Sequence, residues 1–235
     1  MTVTDDLVTG TDGAPRCWWC GTDDEYQRYH DEEWGVPQHD SRALFEKLCL
    51  EGFQAGLSWL TILRRREAFR EAFCDFDPER VALMGSDDVE RLLANPAIIR
   101  HRGKIEATIV NARATLSLSE PLSTLLWRFA PDAERTRPRN RHEILPHSPE
   151  SAALSETLRA AGFRFVGPTT LYALMQSMGM VDDHLMGCFR ATQQTTTPIE
   201  DEREGPPGVR KSSERPAAEH RRPSTTAHNP HRQPR

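Results

Sequence analysis

The sequence predicts an all-α fold, and three observations support this prediction. Apolar residues recur at helical spacing along most of residues 16–189, as in the run Leu44, Phe45 and Leu48. Helix start signals precede some of these segments, for example Ser86 with the acidic residues that follow it. No run of alternating apolar and polar residues is long enough to indicate a strand.

The predicted helices follow one another within a single domain, residues 16–190. They cover residues 40–51, 58–73, a segment that opens at Ser86, 103–118, 121–130, 151–161 and 169–178. Prolines interrupt residues 135–149, which we expect to form a loop. Residues 1–15 are small and polar and are predicted to be a flexible leader.

The last segment, residues 191–235, is rich in proline and arginine and has almost no apolar residues. Such a composition cannot bury a core, so the sequence predicts a disordered tail. The tail is either a solvated extension or a weakly basic arm that adds non-specific phosphate contacts.

Composition limits the classes of function. The 235 residues carry a net charge of −5, so any binding to nucleic acid must depend on local basic patches. Five unevenly spaced cysteines do not form a disulfide framework and fit a reducing cytoplasm. Asp5 and Asp6 stand where a secretion signal would carry positive charge, and no apolar run approaches the length of a membrane span. We therefore expect a cytoplasmic protein without a membrane partner.

One ten-residue stretch concentrates chemically useful groups. Glu51 lies near the end of a predicted helix, and Trp59 begins the next helix after a glycine-rich turn over residues 52–58. A carboxylate beside a flat aromatic ring suits a site for a planar heterocycle that carries positive charge. Taken alone, such residues more often form a solvated helix end and a core tryptophan.

Several motifs together resemble the bacterial 3-methyladenine DNA glycosylase I family of helix-hairpin-helix DNA glycosylases. They are CWWC at 17–20, YHDEEWGVP at 29–37, CLEGFQAGLSW at 49–59, IIRHRGKI at 98–105, GFRFVG at 162–167 and DHLMGC at 183–188. The resemblance covers roughly residues 16–189. It implies hydrolysis of the N-glycosidic bond of 3-methyladenine in DNA, with alternatives in a glycosylase for another purine lesion or a non-catalytic zinc-stabilised DNA-binding module.

The resemblance implies roles for individual residues in this chemistry. Glu51 would contact the cationic base, and Asp182 occupies the place of the catalytic aspartate of the wider superfamily, where this family typically has asparagine. The expected base-binding residues are Trp19, Tyr26, Tyr29, Trp34, Glu51 and Trp59. The lysine of strand-cleaving glycosylases is replaced here by Pro168 and Thr169, so we expect a monofunctional enzyme.

A zinc site that joins the two ends of the domain is also implied. The expected ligands of one structural zinc ion are Cys17, His30, His184 and Cys188. Two thiolates and two imidazoles suit tetrahedral zinc, and the spacing of His184 and Cys188 places both on one face of a helix. Cys20 is a competing ligand, because it forms a Cys-x-x-Cys pair with Cys17.

The expected partner is double-stranded DNA with an alkylated base, bound by a monomer. An apolar wedge is needed where a base is flipped out, and Leu57 in its turn is the candidate. Residues 162–170 resemble a helix-hairpin-helix motif, whose amides approach phosphate. The candidate DNA-binding residues are Leu57, Arg100, Arg102, Lys104, Arg164, Gly167 and Thr169.

Overall fold

The computed structural model describes residues 6–132 and 136–193, and in that part of the chain α-helices dominate. The first six helices are α1 (Asp24–Glu32), α2 (Ser41–Gln54), α3 (Trp59–Leu63), α4 (Arg66–Ala72), α5 (Pro78–Ala82) and α6 (Ser86–Ala94). The remaining five are α7 (Arg102–Leu116), α8 (Leu122–Trp127), α9 (Pro149–Ala160), α10 (Pro168–Ser177) and α11 (Phe189–Gln193). Short 3-10 helices cover Trp18–Cys20, Cys74–Phe76 and Arg141–Glu143. The prediction of a mostly helical fold is confirmed.

Helix α2 lies at the centre of the core. Asp40 caps its N-terminus, because the Asp40 carboxylate accepts a hydrogen bond from the amide of Ala43 at 2.8 Å. Nine of its fourteen residues are buried, and it packs against α3, α7, α8 and α10. The helix continues to Gln54, three residues beyond the predicted end, so the turn that follows is shorter than expected and covers residues 55–58. This central position fixes Glu51 inside the protein.

Most helix predictions are confirmed within three residues, but one is wrong. The segment 58–73 forms two helices instead of one, because the backbone leaves helical geometry at Arg65, with ψ of 3°. Helices α1, α5 and α11 were not predicted. Helices α9 and α10 pack together and are joined by the short turn at residues 161–167.

The N-terminal segment corrects two predictions. Strands β1 (Leu7–Thr9) and β2 (Pro15–Cys17) form an antiparallel pair, so the expected absence of strands and the flexible leader over 1–15 are both wrong from residue 7 onward. Each strand has three residues, too few for an alternating pattern to register in the sequence. The guanidinium of Arg16 fastens the hairpin by bonding to Asp12 and Asp31, which places Cys17 at its end.

The C-terminal part holds one further correction. The predicted helical face for His184 and Cys188 is wrong, because residues 182–188 form a loop that turns through Gly187 at a φ of +96°. Helix α11 then follows to Gln193. The predicted tail falls almost wholly on residues 194–235, outside the described residues. Among the described helices, none has the length and apolar character needed to cross a membrane.

Candidate active site and metal-binding cluster

A cavity of roughly 190 Å³ opens beside the end of α2. It is lined by Trp18, Trp19, Tyr26, Tyr29, Trp34, Glu51, Gln54, Trp59, Ile144, Ala173 and Gln176. All six residues expected to bind a base are in this lining. Helix α1 contributes its tyrosines from one face, α2 contributes the carboxylate, and α3 contributes Trp59 at its first turn.

Aromatic rings hold one another in place around this cavity. The ring of Trp19 lies with its centroid 5.0 Å from that of Trp34 and 5.1 Å from that of Tyr26, at angles of 63° and 57°. Tyr29 and Trp59 lie 5.5 Å apart. Tilted and edge contacts of this kind favour fixed ring orientations, so the wall has its shape before any ligand binds.

A buried ion pair supports the acidic group of the cavity. Oε1 of Glu51 lies 3.0 Å from Nζ of Lys47, one helical turn earlier on α2, and both side chains are buried. Nζ of Lys47 also donates to the hydroxyl of Tyr29 at 2.8 Å and lies 3.1 Å from the ring centroid of Trp59. Burial raises the pKa of Glu51, and the Lys47 ammonium opposes this shift. Burial lowers the pKa of Lys47 to about 8.

Two polar atoms of the lining lack a hydrogen-bond partner among the described residues. They are Oε2 of Glu51, an acceptor when ionised, and Nε1 of Trp59, a donor. An unpaired buried polar group costs about 1–3 kcal/mol, so both atoms favour a ligand that pairs with them. A flat ring with an amino group meets these requirements, and a positive charge on that ring would add attraction to the Glu51 carboxylate.

Asp182, which is predicted to act at the sugar, does not line this cavity. Its carboxylate pairs with the guanidinium of Arg137 and accepts the amide of His184, and it is absent from the lining. The neighbouring Asp183 is the buried carboxylate of this loop. Its Oδ2 accepts from the amide group of Gln176 at 2.8 Å, and Gln176 does line the cavity. The loop therefore reaches the cavity through Asp183 and Gln176.

The four predicted metal ligands form one buried cluster. The ligand atoms of Cys17, His30, His184 and Cys188 all lie within 4.8 Å of one another. Sγ of Cys188 is 3.4 Å from Nε2 of His30 and 3.7 Å from Nδ1 of His184, and Sγ of Cys17 is 3.8 Å from the same Nδ1. Zinc bonds of about 2.3 Å to sulfur and 2.0–2.1 Å to nitrogen give tetrahedral S···N edges of about 3.6 Å. The donor set and its spacing therefore fit a tetrahedral metal ion.

The second ring nitrogen of His30 and that of His184 each have a hydrogen-bond partner. Nδ1 of His30 lies 2.8 Å from a carboxylate oxygen of Asp31, and Nε2 of His184 lies 3.2 Å from the carbonyl oxygen of Trp34. Such partners fix the tautomer and direction of a metal-binding histidine. Cys20 is outside the cluster, since its thiol donates to the carbonyl of Cys17 at 3.1 Å. The cluster therefore includes Cys17 and does not include Cys20.

Three turns lie together beside α2: residues 55–58, 98–102 and 162–167, here called the three-turn face. Leu57 is 41% exposed at the first turn. Phe165, also 41% exposed with a φ of +55°, lies over the end of α2, because a Cβ on Gly52 would meet its Cβ at 3.4 Å. The ring of His101 lies 6.3 Å from that of Phe165, which joins the second turn to the third.

The predicted DNA-binding residues are accessible to solvent, with the exception of the buried Lys104. Arg100, Arg164 and Thr169 are exposed on or next to this face. Arg102 is exposed and pairs with Glu90 and Glu106, at 2.8 and 3.7 Å, and exposed pairs of this kind are weak enough to exchange for a phosphate. Gly167, which is half-buried, is the N-cap of α10, whose first amides follow it.

Lys104 is the exception, and its prediction as a DNA contact is wrong. The side chain is buried, and Nζ donates to the carbonyl oxygens of Phe53 at 2.8 Å and Ala55 at 2.6 Å. It therefore binds the last turn of α2 and the start of the turn that carries Leu57. Asn111, further along α7, binds the backbone of Arg164: its Nδ2 donates to the carbonyl oxygen at 3.0 Å, and its Oδ1 accepts from the amide at 2.7 Å.

The chain is similar to known proteins over most of its described residues. A family model described as methyladenine glycosylase matches residues 19–191. DNA-3-methyladenine glycosylase 1 of Escherichia coli (strain K12) is 49% identical over 177 residues, which cover 74% of this chain and 95% of that protein. A crystal structure of 3-methyladenine DNA glycosylase I has a TM-score of 0.72 at 50% identity and covers 74% of this chain and 98% of its own.

A third relative has a ligand in its structure. It is a variant of 3-methyladenine DNA glycosylase I in complex with 3-methyladenine, with a TM-score of 0.68 at 38% identity over 71% of this chain and 91% of its own. The resemblance stated from the motifs is confirmed. Because the family match spans most of the folded residues and nearly all of the Escherichia coli protein aligns, the chain belongs to the methyladenine glycosylase family.

Proposed function

We propose that the protein hydrolyses the N-glycosidic bond of 3-methyladenine in alkylated DNA. Relatives that are named for this activity align over nearly their whole length. The observation that carries the proposal is an aromatic cavity lined by Glu51 and Trp59, in which Oε2 of Glu51 and Nε1 of Trp59 lack a partner among the described residues. An ionised acceptor in such a cavity selects a flat base that is rich in donors and positively charged.

Recognition of the base follows from charge and edge chemistry. Adenine methylated at N3 within DNA carries a formal positive charge and an amino group. Glu51 accepts a hydrogen bond from that amino group, and Tyr29 and Trp59 pack against the ring. Guanine presents a carbonyl oxygen where adenine has its amino group, and this oxygen would face the Glu51 carboxylate without a proton between them. The cavity thus favours 3-methyladenine over 7-methylguanine.

The chemical step needs little acid catalysis. A cationic base is already a good leaving group, and the sugar passes through an oxocarbenium-like state before water attacks C1′. The protein contributes by extruding the base and holding it in one orientation. Pro168 follows the hairpin glycine, so no lysine is available there to form a Schiff base. The reaction is therefore hydrolysis without strand cleavage.

Duplex DNA is the proposed partner of the three-turn face. Leu57 is the wedge that fills the gap left by the flipped base. Arg100, Arg102 and Arg164 contact phosphates, together with the amides at the start of α10 after Gly167. The protein acts as a monomer on this substrate.

A structural zinc ion is the proposed occupant of the four-residue cluster. Cys17, His30, His184 and Cys188 would hold it, which leaves no open position for water or substrate. The ion would supply folding free energy and no step of the reaction. The fit of the donor distances to tetrahedral edges supports zinc over a larger, oxygen-seeking cation.

Base release from methylated duplex DNA tests the proposed activity. DNA treated with a methylating agent contains both 3-methyladenine and 7-methylguanine, and chromatography separates the released bases. We expect release of 3-methyladenine, retention of 7-methylguanine and intact strands. Duplex binding without release of any base would instead identify a non-catalytic DNA-binding module.

A further inference from the structure

Lys47 stands between two cavities. It does not line the cavity described above, but it lines a second one of roughly 240 Å³ that shares Tyr29 and Trp59 with the first. Its side chain is buried, and Nζ directs its donors to Oε1 of Glu51, the hydroxyl of Tyr29 and the face of Trp59. All three partners belong to the lining of the base cavity. Lys47 thus contacts three residues that line the base cavity without lining that cavity itself.

Glu51 is the main counter-ion of Lys47, because the other carboxylates near Lys47 are paired with arginines or exposed to solvent. The charged or titratable groups that face Lys47 are Tyr29 and Glu32 of α1, Glu33 directly after it, Glu46 and Glu51 of α2, and Arg66 and Arg70 of α4. Glu33 is paired with Arg66, and Glu46 is paired with Arg70 at 2.8 Å. Glu32 is exposed to solvent. The charge of Lys47 therefore acts mainly on Glu51.

The ion pair decides which oxygen of Glu51 is free and whether it is ionised. Nζ occupies Oε1 at 3.0 Å, and Oε2 is left without a partner among the described residues. A carboxyl group that is 4% exposed would gain a proton readily if no cation opposed it. A protonated Glu51 loses its charge and with it the preference for a cationic base.

We infer that Lys47 is a positioning residue of this site: its ammonium holds Glu51 as an ionised acceptor with Oε2 facing the cavity, so that loss of the Lys47 charge makes excision require a higher pH. This inference rests on the proposed function. Excision needs ionised Glu51 and is lost as the pH falls through the pKa of that group. Removal of the ammonium raises this pKa, so the loss begins at a higher pH.

The test is the pH dependence of kcat/KM for 3-methyladenine release, which reports ionisations of the free enzyme. Loss of an opposite charge at this distance moves a carboxyl pKa by about one to three pH units. We therefore expect the acid-side inflection of Lys47→Met to lie at least about one pH unit above that of the wild type. At a pH below both inflections its rate is at least tenfold lower, and the two rates converge at alkaline pH. Lys47→Arg, which keeps the charge, restores the wild-type inflection.

Two further variants separate charge from structure. Arg64→Met removes a positive charge that pairs with Asp23 and does not face Lys47, and its inflection stays in the wild-type position. Lys47→Gln replaces the methionine variant if that protein does not fold, and it shows the same upward movement. A neutral variant that folds with the wild-type inflection overturns the inference, and so does a loss of rate that is equal at every pH. Failure of the wild type to release base at any pH overturns the proposed function instead.

Discussion

Replacement of Lys104 by methionine separates a structural lysine from a DNA-binding one. Methionine keeps the apolar stem and removes the ammonium that donates to the carbonyl oxygens of Phe53 and Ala55. A hydrogen bond from a charged group contributes about 1.5–3 kcal/mol, and water can replace the lost bond at the exposed Ala55. We therefore expect the free energy of unfolding to fall by about 2 kcal/mol. With a urea dependence near 2 kcal/mol per molar, the midpoint falls by about 1 M.

The same change loosens the turn that carries Leu57. Excision from duplex DNA should fall several-fold, while binding of free 3-methyladenine stays close to that of the wild type, because the base cavity does not include Lys104. Arg100→Met is the matched control: it should leave the urea midpoint unchanged and reduce the dependence of DNA affinity on salt by about one phosphate contact. The reasoning is refuted if Lys104→Met unfolds like the wild type and weakens the salt dependence instead.

Three other predictions concern the metal, the carboxylates and the tail. Metal analysis should find about one zinc per chain in the wild type and in Cys20→Ser. The variant His184→Ala should lose the metal, and its free energy of unfolding should fall by several kcal/mol. Active wild-type protein without zinc would contradict this prediction. Glu51→Ala should lower the rate of single-turnover excision by about 10- to 100-fold, which corresponds to the loss of one charged hydrogen bond. The excision rate of Asp182→Asn should stay within about twofold of the wild-type rate. The reverse order of the two rates would place the chemistry on Asp182. Deletion of residues 195–235 should preserve the thermal unfolding transition and base release at low salt, and loss of that transition would show that the tail packs.

The sequence was most informative where a pattern has one structural meaning. Helical periodicity predicted most of the helices, and the motifs identified six of the eleven residues that line the cavity. The two buried lysines show where this reasoning stops. A lysine in a helix normally lies in solvent. This rule favours a DNA contact for Lys104 and gives no reason to expect a role for Lys47 in the site. The available signal for Lys47 was its position four residues before Glu51 on a helix with few other polar residues.

Spacing alone was ambiguous at the C-terminal ligands. His184 and Cys188 are four residues apart, which suits one face of a helix, but a loop that reverses at Gly187 brings the same two side chains together. The choice depends on contacts with residues more than 150 positions away, such as Cys17 and His30, and no local pattern records them. For the same reason no local pattern indicates the ion pair between Arg137 and Asp182.

The position of the metal-binding cluster sets the order in which the site is completed during synthesis. Cys17 and His184 are 167 residues apart, yet their ligand atoms lie 3.8 Å from each other. The ring of Trp19 packs 5.2 Å from that of His30, and the carbonyl of Trp34 faces His184. The aromatic wall is thus encoded early in the chain but braced by residues translated near the end of the folded region. The contact between Trp34 and His184 therefore forms only after residue 184 has left the ribosomal exit tunnel.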